Sequence, residues 1–274
     1  MKLYGVTVAR NVESYVPYTM KYVEELGYDR FIVYDNCSTD KTVELLKKYP
    51  FVEVRSFGDG DFSEGLKTEM ILNAYKEFFE YHWENYGGND FAWMTITDFD
   101  EVIYLAHTEY DGVFKHYMSH LTWRGYNVVN EPIVNLLPPS NGLVPPEGDF
   151  AHLYVDKIGK AIEVEWEKPL LFRLDTLASI TLEYGQHRAR FEFHDGKVNA
   201  YNHSSDLMVF HLKYLLGKRA TDIGDDNFKV HGLNRVSRLE YQLRDSIDIK
   251  DYFTYKFLCG RSPGNSAEDK NGII

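Results

Sequence analysis

Three carboxylates crowd one short stretch of the chain. "FAWMTITDFDEVIY", residues 91–104, is an apolar, β-rich run that delivers Asp98, Asp100 and Glu101 and returns at once to apolar residues. In an extended segment, side chains two residues apart face the same way. Asp98 and Asp100 are therefore expected to share one small volume, where their repulsion is costly unless something positive intervenes. A divalent cation with oxygen ligands, Mn²⁺ or Mg²⁺, meets that need and commonly bridges carboxylates to substrate phosphates. The competing reading is a solvated acidic turn, because a bare D-x-D is a frequent pattern. Its place at the carboxyl end of a buried strand weighs for the cation. Phe99 and Val102 are expected to face the core, and Glu101 either to stand behind the metal's own ligands or to hold a neighbouring backbone.

A second polar cluster, "VYDNCSTDKT" at residues 33–42, also ends an apolar run. Asp35 and Asn36 offer an acceptor and an amide that could read the edge of a nucleobase. Ser38, Thr39 and Asp40 are expected to cap the next helix. A plain strand–turn–helix junction explains Ser38 to Asp40 fully and Asp35 less well. Arg10 and Asn11, after "LYGVTVA", would line the same crevice, with Arg10 meeting either Asp35 or a phosphate.

The elements that must position these groups follow from periodicity. "LYGVTVA", "RFIVYD", "FVEVRSF" and "FAWMTI" read as strands. "ESYVPYTMKYVEELG", "STDKTVELLKKY" and "EGLKTEMILNAYKEFFEYHWENYGG" read as helices, closed by Gly27 in the first case and by Gly87 and Gly88 in the third. On the third helix, Leu66, Met70, Asn73, Ala74 and Glu77 mark one side. The rhythm β-α-β-α-β-α-β predicts an α/β fold, a mostly parallel central sheet with helices on both faces. Ligands of such sheets bind beyond the carboxyl ends of the strands, where "ARN", "DNCSTD" and "TDFDE" all fall. Beyond Thr108, "GYNVVNEPIVNLL", "KPLLFRL", "ASITLEY" and "DLMVFHL" read as further strands in mixed or antiparallel order. "PPSNGLVPPEGD" reads as a long loop over the site, "LNRVSRLEYQLRDSI" as a helix, and the polar last stretch as frayed.

Composition bounds the function. The chain has 274 residues, 44% hydrophobic and 26% charged, as in an ordinary globular protein. Its formal net charge of −12 argues against non-specific nucleic-acid binding. No apolar run is long enough to span a bilayer, and the N-terminus reads as a first strand, so a cytoplasmic protein is expected. Cys37 and Cys259 have no metal-type spacing and fit a reducing compartment.

The motifs resemble those of a known group. "VARNVESYVPY", "FIVYDNCSTDKTVELLKKY" and "FAWMTITDFDEVIY" are similar to the nucleotide-binding half of GT-A glycosyltransferases. They are most similar to family 2-like bacterial enzymes with an "R/K-N-E", "D-N-x-S-x-D-x-T" and "D-x-D-E" series. The likeness covers about the first 105 residues; "KPLLFR", "GQH" and "VFHLKYL" extend it more thinly. One departure is "NVE" in place of "N-E", which shifts the acidic role to Glu13 or removes it. The resemblance implies a GT-A domain over residues 1–215, with the nucleotide-binding half ending at 105, followed by a small C-terminal helical extension over 216–274. It implies a nucleotide-diphosphate-sugar donor, a UDP-sugar first among them, and a glycan or lipid-linked glycan acceptor, with peripheral membrane association allowed. Asp35 or Asn36 would lie near the base and Asp98 near the ribose or metal. Asp100 would be the direct metal ligand, and His211, or second His187, would complete the metal shell. Lys168 and Arg173 would steady the leaving diphosphate. Inversion needs a base to take the acceptor proton, for which Asp149 leads Glu131 and Glu147. The expected activity is inverting, metal-dependent glycosyl transfer in surface polysaccharide or lipopolysaccharide synthesis. Two rivals stand beside it: a sugar-nucleotide pyrophosphorylase, whose glycine-rich loop "ARNVESY" lacks, and a non-catalytic nucleotide- or glycan-binding module.

Overall fold

Strand β1 (Lys2–Ala9) lies between β2 (Arg30–Asp35) and β4 (Ala92–Ile96), parallel to both, and β3 (Val52–Ser56) extends the parallel set beyond β2. The computed structural model describes residues 1–61, 63–105, 113–137, 160–183, 187–202, 207–212 and 247–248. Four α-helices are described: α1 (Val16–Leu26), α2 (Thr42–Leu46), α3 (Glu64–Tyr86) and α4 (Phe114–Trp123). The remaining strands are β5 (Glu101–Leu105), β6 (Val128–Leu137), β7 (Lys160–Arg173), β8 (Leu177–Glu183), β9 (Arg188–Phe193), β10 (Ala200–Asn202), β11 (Leu207–His211) and β12 (Ile247–Asp248). The main sheet runs β3-β2-β1-β4-β7-β6-β11-β5, with β10 on β6 and β12 on β7. The expected α/β architecture is thus observed: a sheet parallel through its first four strands and mixed beyond them. Strands from before and after residue 105 share it, since β4 pairs with β7 and β5 with β11.

Alternation along the strands sends side chains to two cores. Leu3, Phe31, Val33 and Trp93 pack on one face with α1, α2 and α4. Tyr4, Ile32, Tyr34 and Met94 pack on the other with Met70, Ala74 and Phe78 of α3 and with the β8–β9 hairpin. Gly5 interrupts β1 because a Cβ there would lie 2.5 Å from the rings of both Phe31 and Tyr28. Gly27 takes the left-handed conformation that closes α1, as expected. On α3 the buried face runs through Lys67, Met70, Ile71, Ala74, Phe78 and His82. The expected Leu66–Glu77 stripe is rotated by about one residue, because Met70, Ile71, Ala74 and Phe78 pack against Tyr4, Ile32, Tyr34 and Met94 of the sheet.

The parallel edge is held by charge. Arg30 and Arg55 both bind Glu53 and Glu77, tying β2 and β3 to α3. Hydrogen bonds from Arg55, and then from Arg30, outweigh burial and hold the Glu77 carboxyl down at about 2. An unfolded Glu titrates near about 4.3. The stabilisation from Glu77 is therefore complete above that value and is lost as pH falls toward the folded one. Glu77→Gln is expected to lower Tm at pH 7, with the gap to wild type closing as pH drops from about 4.3 to about 2. Because the group is 37% exposed, the gap should also shrink in high salt. Thermal melts across pH and salt check both.

The proline- and glycine-rich stretch 138–149 lies outside the described residues, as does the C-terminal extension 216–274 apart from Ile247–Asp248, which form β12 against β7. No helix among the described residues is long and apolar enough to cross a membrane.

Candidate active site

Beyond the last β4 pair with β7, Thr95 opposite Leu171, the chain leaves the strand at Ile96 and reaches Asp98 three residues on from Thr95. Three residues back along β7 is Lys168. The two side chains meet, with Lys168 Nζ 3.3 Å from Asp98 Oδ2 and 2.5 Å from Glu101 Oε2. Lys67, from the first turn of α3, binds Asp98 Oδ1. Glu101 Oε2 also accepts the Asp98 backbone N–H at 2.9 Å, the backbone-holding role expected of it. Lys67 is 4% exposed and Lys168 1%. Burial alone would raise the Asp98 carboxyl, but the Lys168 and Lys67 ammoniums hold it well below the usual carboxylate range. Burial would lower the Lys168 ammonium, and the Asp98 and Glu101 charges more than offset that.

The chain does not stay extended through the acidic stretch. The Glu101 N–H binds the Asp98 carbonyl at 3.0 Å, closing a β-turn over Asp98–Glu101. Phe99 and Val102 are buried, as expected, and Thr19 of α1 donates to the Phe99 carbonyl at 2.8 Å. The turn gives the two aspartates different partners. Asp98 faces lysines, while Asp100 Oδ2 lies 3.2 Å from His211 Nε2 at the end of β11. The positive charge that sequence reasoning required beside Asp98 is thus present as two ammoniums.

Those geometries decide how a divalent ion could be held. Among the described residues no group of three or more His, Cys, Asp and Glu could bind a metal unaided. Asp100 and His211 still fit an ion that keeps several waters and takes phosphate oxygens, which is how Mg²⁺ is usually bound. Each Asp98 oxygen already meets an ammonium, so a cation there would have to share it with, or displace, Lys67 or Lys168. His187 lies within the field of the same lysines; burial and then the Lys168 charge push its imidazole below the usual value.

The second cluster has become a staple between two loops. The Asn11 N–H donates to Ser38 Oγ, the Val12 N–H to Thr42 Oγ1 and the Glu13 N–H to Asp40. In return Asn11 Oδ1 accepts the Thr39 N–H at 2.8 Å, and Glu13 accepts the Lys41 N–H at 2.9 Å. Of the three expected caps only Asp40 reaches the α2 first turn, accepting the Thr42 N–H at 2.9 Å. Asp35 is 5% exposed and accepts the Ser38 N–H at 3.2 Å. Asn36, expected at a nucleobase, is fully buried. Its Oδ1 accepts the Gly60 N–H and its Nδ2 donates to the Asp61 carbonyl, so both ends of the amide are spent on backbone. A Cβ on Gly58 would lie 2.6 Å from Asn36 Oδ1, which explains the glycine there. Arg10 is exposed, forms no ion pair among the described residues, and sits over the same loop with Nη2 3.6 Å from where a Gly60 Cβ would be.

Other expected residues fall elsewhere. Glu131 is 0% exposed and pairs in register with Lys168 across β6 and β7. Arg173 is bound to Asp175 and stacked on Phe91, beside Trp93 at the opposite end of β4. Glu147 and Asp149 lie outside the described residues. Sequence reasoning missed Lys67. Its signal was a lysine three and four residues before Met70 and Ile71 on an apolar helix face.

No protein-family model and no curated protein matches the chain. Solved structures share parts of its fold. A 4-diphosphocytidyl-2C-methyl-D-erythritol synthase is 14% identical, covering 64% of this chain and 76% of its own at a TM-score of 0.33. The synthase of the same name from Anaerococcus prevotii DSM 20548 is 10% identical over 73% and 86%, with a TM-score of 0.31. HddC from Yersinia pseudotuberculosis is 10% identical over 64% and 75%, with a TM-score of 0.29. Likenesses at this level assign no activity.

Proposed function

We propose that the chain is a glycosyltransferase that takes a sugar from a nucleotide-diphosphate donor, with a Mn²⁺ or Mg²⁺ ion bound through Asp100 and His211. The observation that carries the reading is the meeting of Asp100 and His211, 111 residues apart, beside the lysine-clamped Asp98 at the carboxyl end of β4. When bound, the ion supplies charge stabilisation to a departing diphosphate. The rest falls to the chain. Asp98, fixed in its charged form and 28% exposed, offers a hydrogen-bond acceptor to the donor. Arg10 offers an exposed cation at the rim. The burial of Glu131 weighs against it as the acceptor's base, so that proposed role goes first to Asp149 and then to Glu147.

A sugar-nucleotide pyrophosphorylase is the second reading, and the diphosphocytidyl compound named for two of the solved neighbours belongs with it. Against it, the segment after β1 has no glycine, and side-chain bonds to the β2–α2 loop already occupy its Asn11, Val12 and Glu13 amides. Those amides are then unavailable to cradle a triphosphate.

Thermal shift with UDP, GDP, CMP, dTDP and CTP, each with and without Mn²⁺, tests both. A ligand at 100 times its Kd stabilises by about 2.7 kcal/mol. At roughly 2–4 °C per kcal/mol, the right nucleoside diphosphate should raise Tm by about 5–10 °C, and only with the metal. No response to any nucleotide would overturn the proposal. A response to CTP, with pyrophosphate released from CTP when a mixture of sugar phosphates is added, would establish the second reading instead.

A further inference from the structure

We infer that Lys67 is a positioning residue of this site, the fixed counter-charge that keeps Asp98 oriented and outside the metal shell. The inference rests on the proposed metal at Asp100 and His211 and adds what sets the strength of that metal's binding. Lys67 comes from α3, an element with no other part in the acidic turn, and its side chain is 5% exposed. A long, flexible ammonium is seldom buried without a specific partner, and here that partner is Asp98 Oδ1. Lys168 takes Oδ2 but is shared with Glu101, so one lysine alone leaves two carboxylates facing one positive charge. With Lys67 the group balances, two ammoniums against two carboxylates, and the field reaching Asp100 is that of Asp100 itself.

The position of Lys67 is itself built. Asn36 binds the Gly60 amide and the Asp61 carbonyl, and Ser63 caps α3 through the Leu66 amide. The "DNCSTD" motif thereby sets where α3 starts and which turn brings Lys67 to Asp98. The consequence runs against the usual result of losing a side chain from a binding site. Removing Lys67 should strengthen cation binding, because Asp98 then adds an uncompensated negative charge next to the Asp100 position.

The test is Mn²⁺ binding to the full chain without nucleotide, read by electron paramagnetic resonance, for wild type, Lys67→Met, Lys67→Arg and Asp98→Asn. Lys67→Met should bind Mn²⁺ about five- to ten-fold more tightly, Lys67→Arg should match wild type, and Asp98→Asn, which leaves two ammoniums facing Glu101 alone, should bind about five- to ten-fold more weakly. A loss of affinity in Lys67→Met, or no change in that variant when folded, would overturn the inference. So would a loss beyond about 100-fold in Asp98→Asn, the mark of a direct ligand removed, which remains decisive should Lys67→Met not fold. If wild type takes up no Mn²⁺, the proposed metal fails. In that case uptake newly gained by Lys67→Met upholds the counter-charge role, and no uptake overturns it.

Discussion

Lys168→Met is expected to lower the free energy of unfolding by about 3–5 kcal/mol at pH 7, the range for breaking a buried ion pair by removing one partner. Lys168 is 1% exposed and bridges Asp98 and Glu101, the latter with a side chain 2% exposed. A methionine fills the space of the aliphatic stem, so the loss is electrostatic. Glu101 would keep only its backbone contact to the Asp98 amide, and two carboxylates would share Lys67. At roughly 2–4 °C per kcal/mol, Tm should fall by about 6–20 °C. The sign of the pH dependence follows from Asp98, whose folded titration lies well below its ordinary value. Its stabilisation in wild type is present above the unfolded value of about 3.9 and is lost as pH falls below it. The deficit of the variant should therefore be largest near neutrality and shrink in acid. Replacing both partners, Lys168→Met with Glu101→Gln, should recover part of the loss, since removing a whole buried pair costs less than stranding half of it. A deficit below about 1 kcal/mol at pH 7 would mean that the cluster is solvated like a surface pair.

The strand and helix pattern of the first hundred residues was legible because periodicity is a local property. The β1, β2 and β4 runs are mostly apolar, β3 alternates valines with Glu53 and Arg55, and Gly27 and Gly87 end helices as their lack of a side chain allows. What stayed hidden was mostly pairing at long range. Spacing places Asp98 and Asp100 two residues apart, but the turn that separates their partners depends on the Glu101 amide reaching back to the Asp98 carbonyl. Lys67 and Lys168 lie 31 and 70 residues from Asp98, and nothing local announces either contact. Asn36 shows the opposite error. An amide at a strand end suits a nucleobase, yet the loop ending at Asp61 had backbone groups to satisfy, and a fully buried side chain satisfied them. His211 was placed beside Asp100 by resemblance alone, and their 3.2 Å approach is a feature that sequence spacing does not contain.

That approach carries the last and largest functional expectation. Asp100→Ala should abolish the metal-dependent part of nucleotide binding, a loss beyond the roughly 10–100-fold that follows when only a partner behind a metal ligand is removed. The same change should leave the fold almost untouched. Asp100 and His211 are 24% and 18% exposed at their side chains, so their contact is a partly solvated one worth about 0–1 kcal/mol. The Leu212 N–H that anchors β11 here binds the Asp100 backbone carbonyl at 2.7 Å, which alanine retains. Stability and binding should therefore separate: Lys168→Met should lower Tm strongly, whereas Asp100→Ala should leave Tm within about 2–4 °C of wild type and lose the Mn²⁺-dependent shift. His211→Ala should behave like Asp100→Ala. His211→Gln, which keeps a hydrogen-bonding group but offers a poorer metal ligand, should hold the fold and still lose the metal. Full metal-dependent binding in Asp100→Ala would move the cation elsewhere. The lysine-clamped Asp98 would then be the first place to look, because only displacement of Lys67 or Lys168 could free its oxygens.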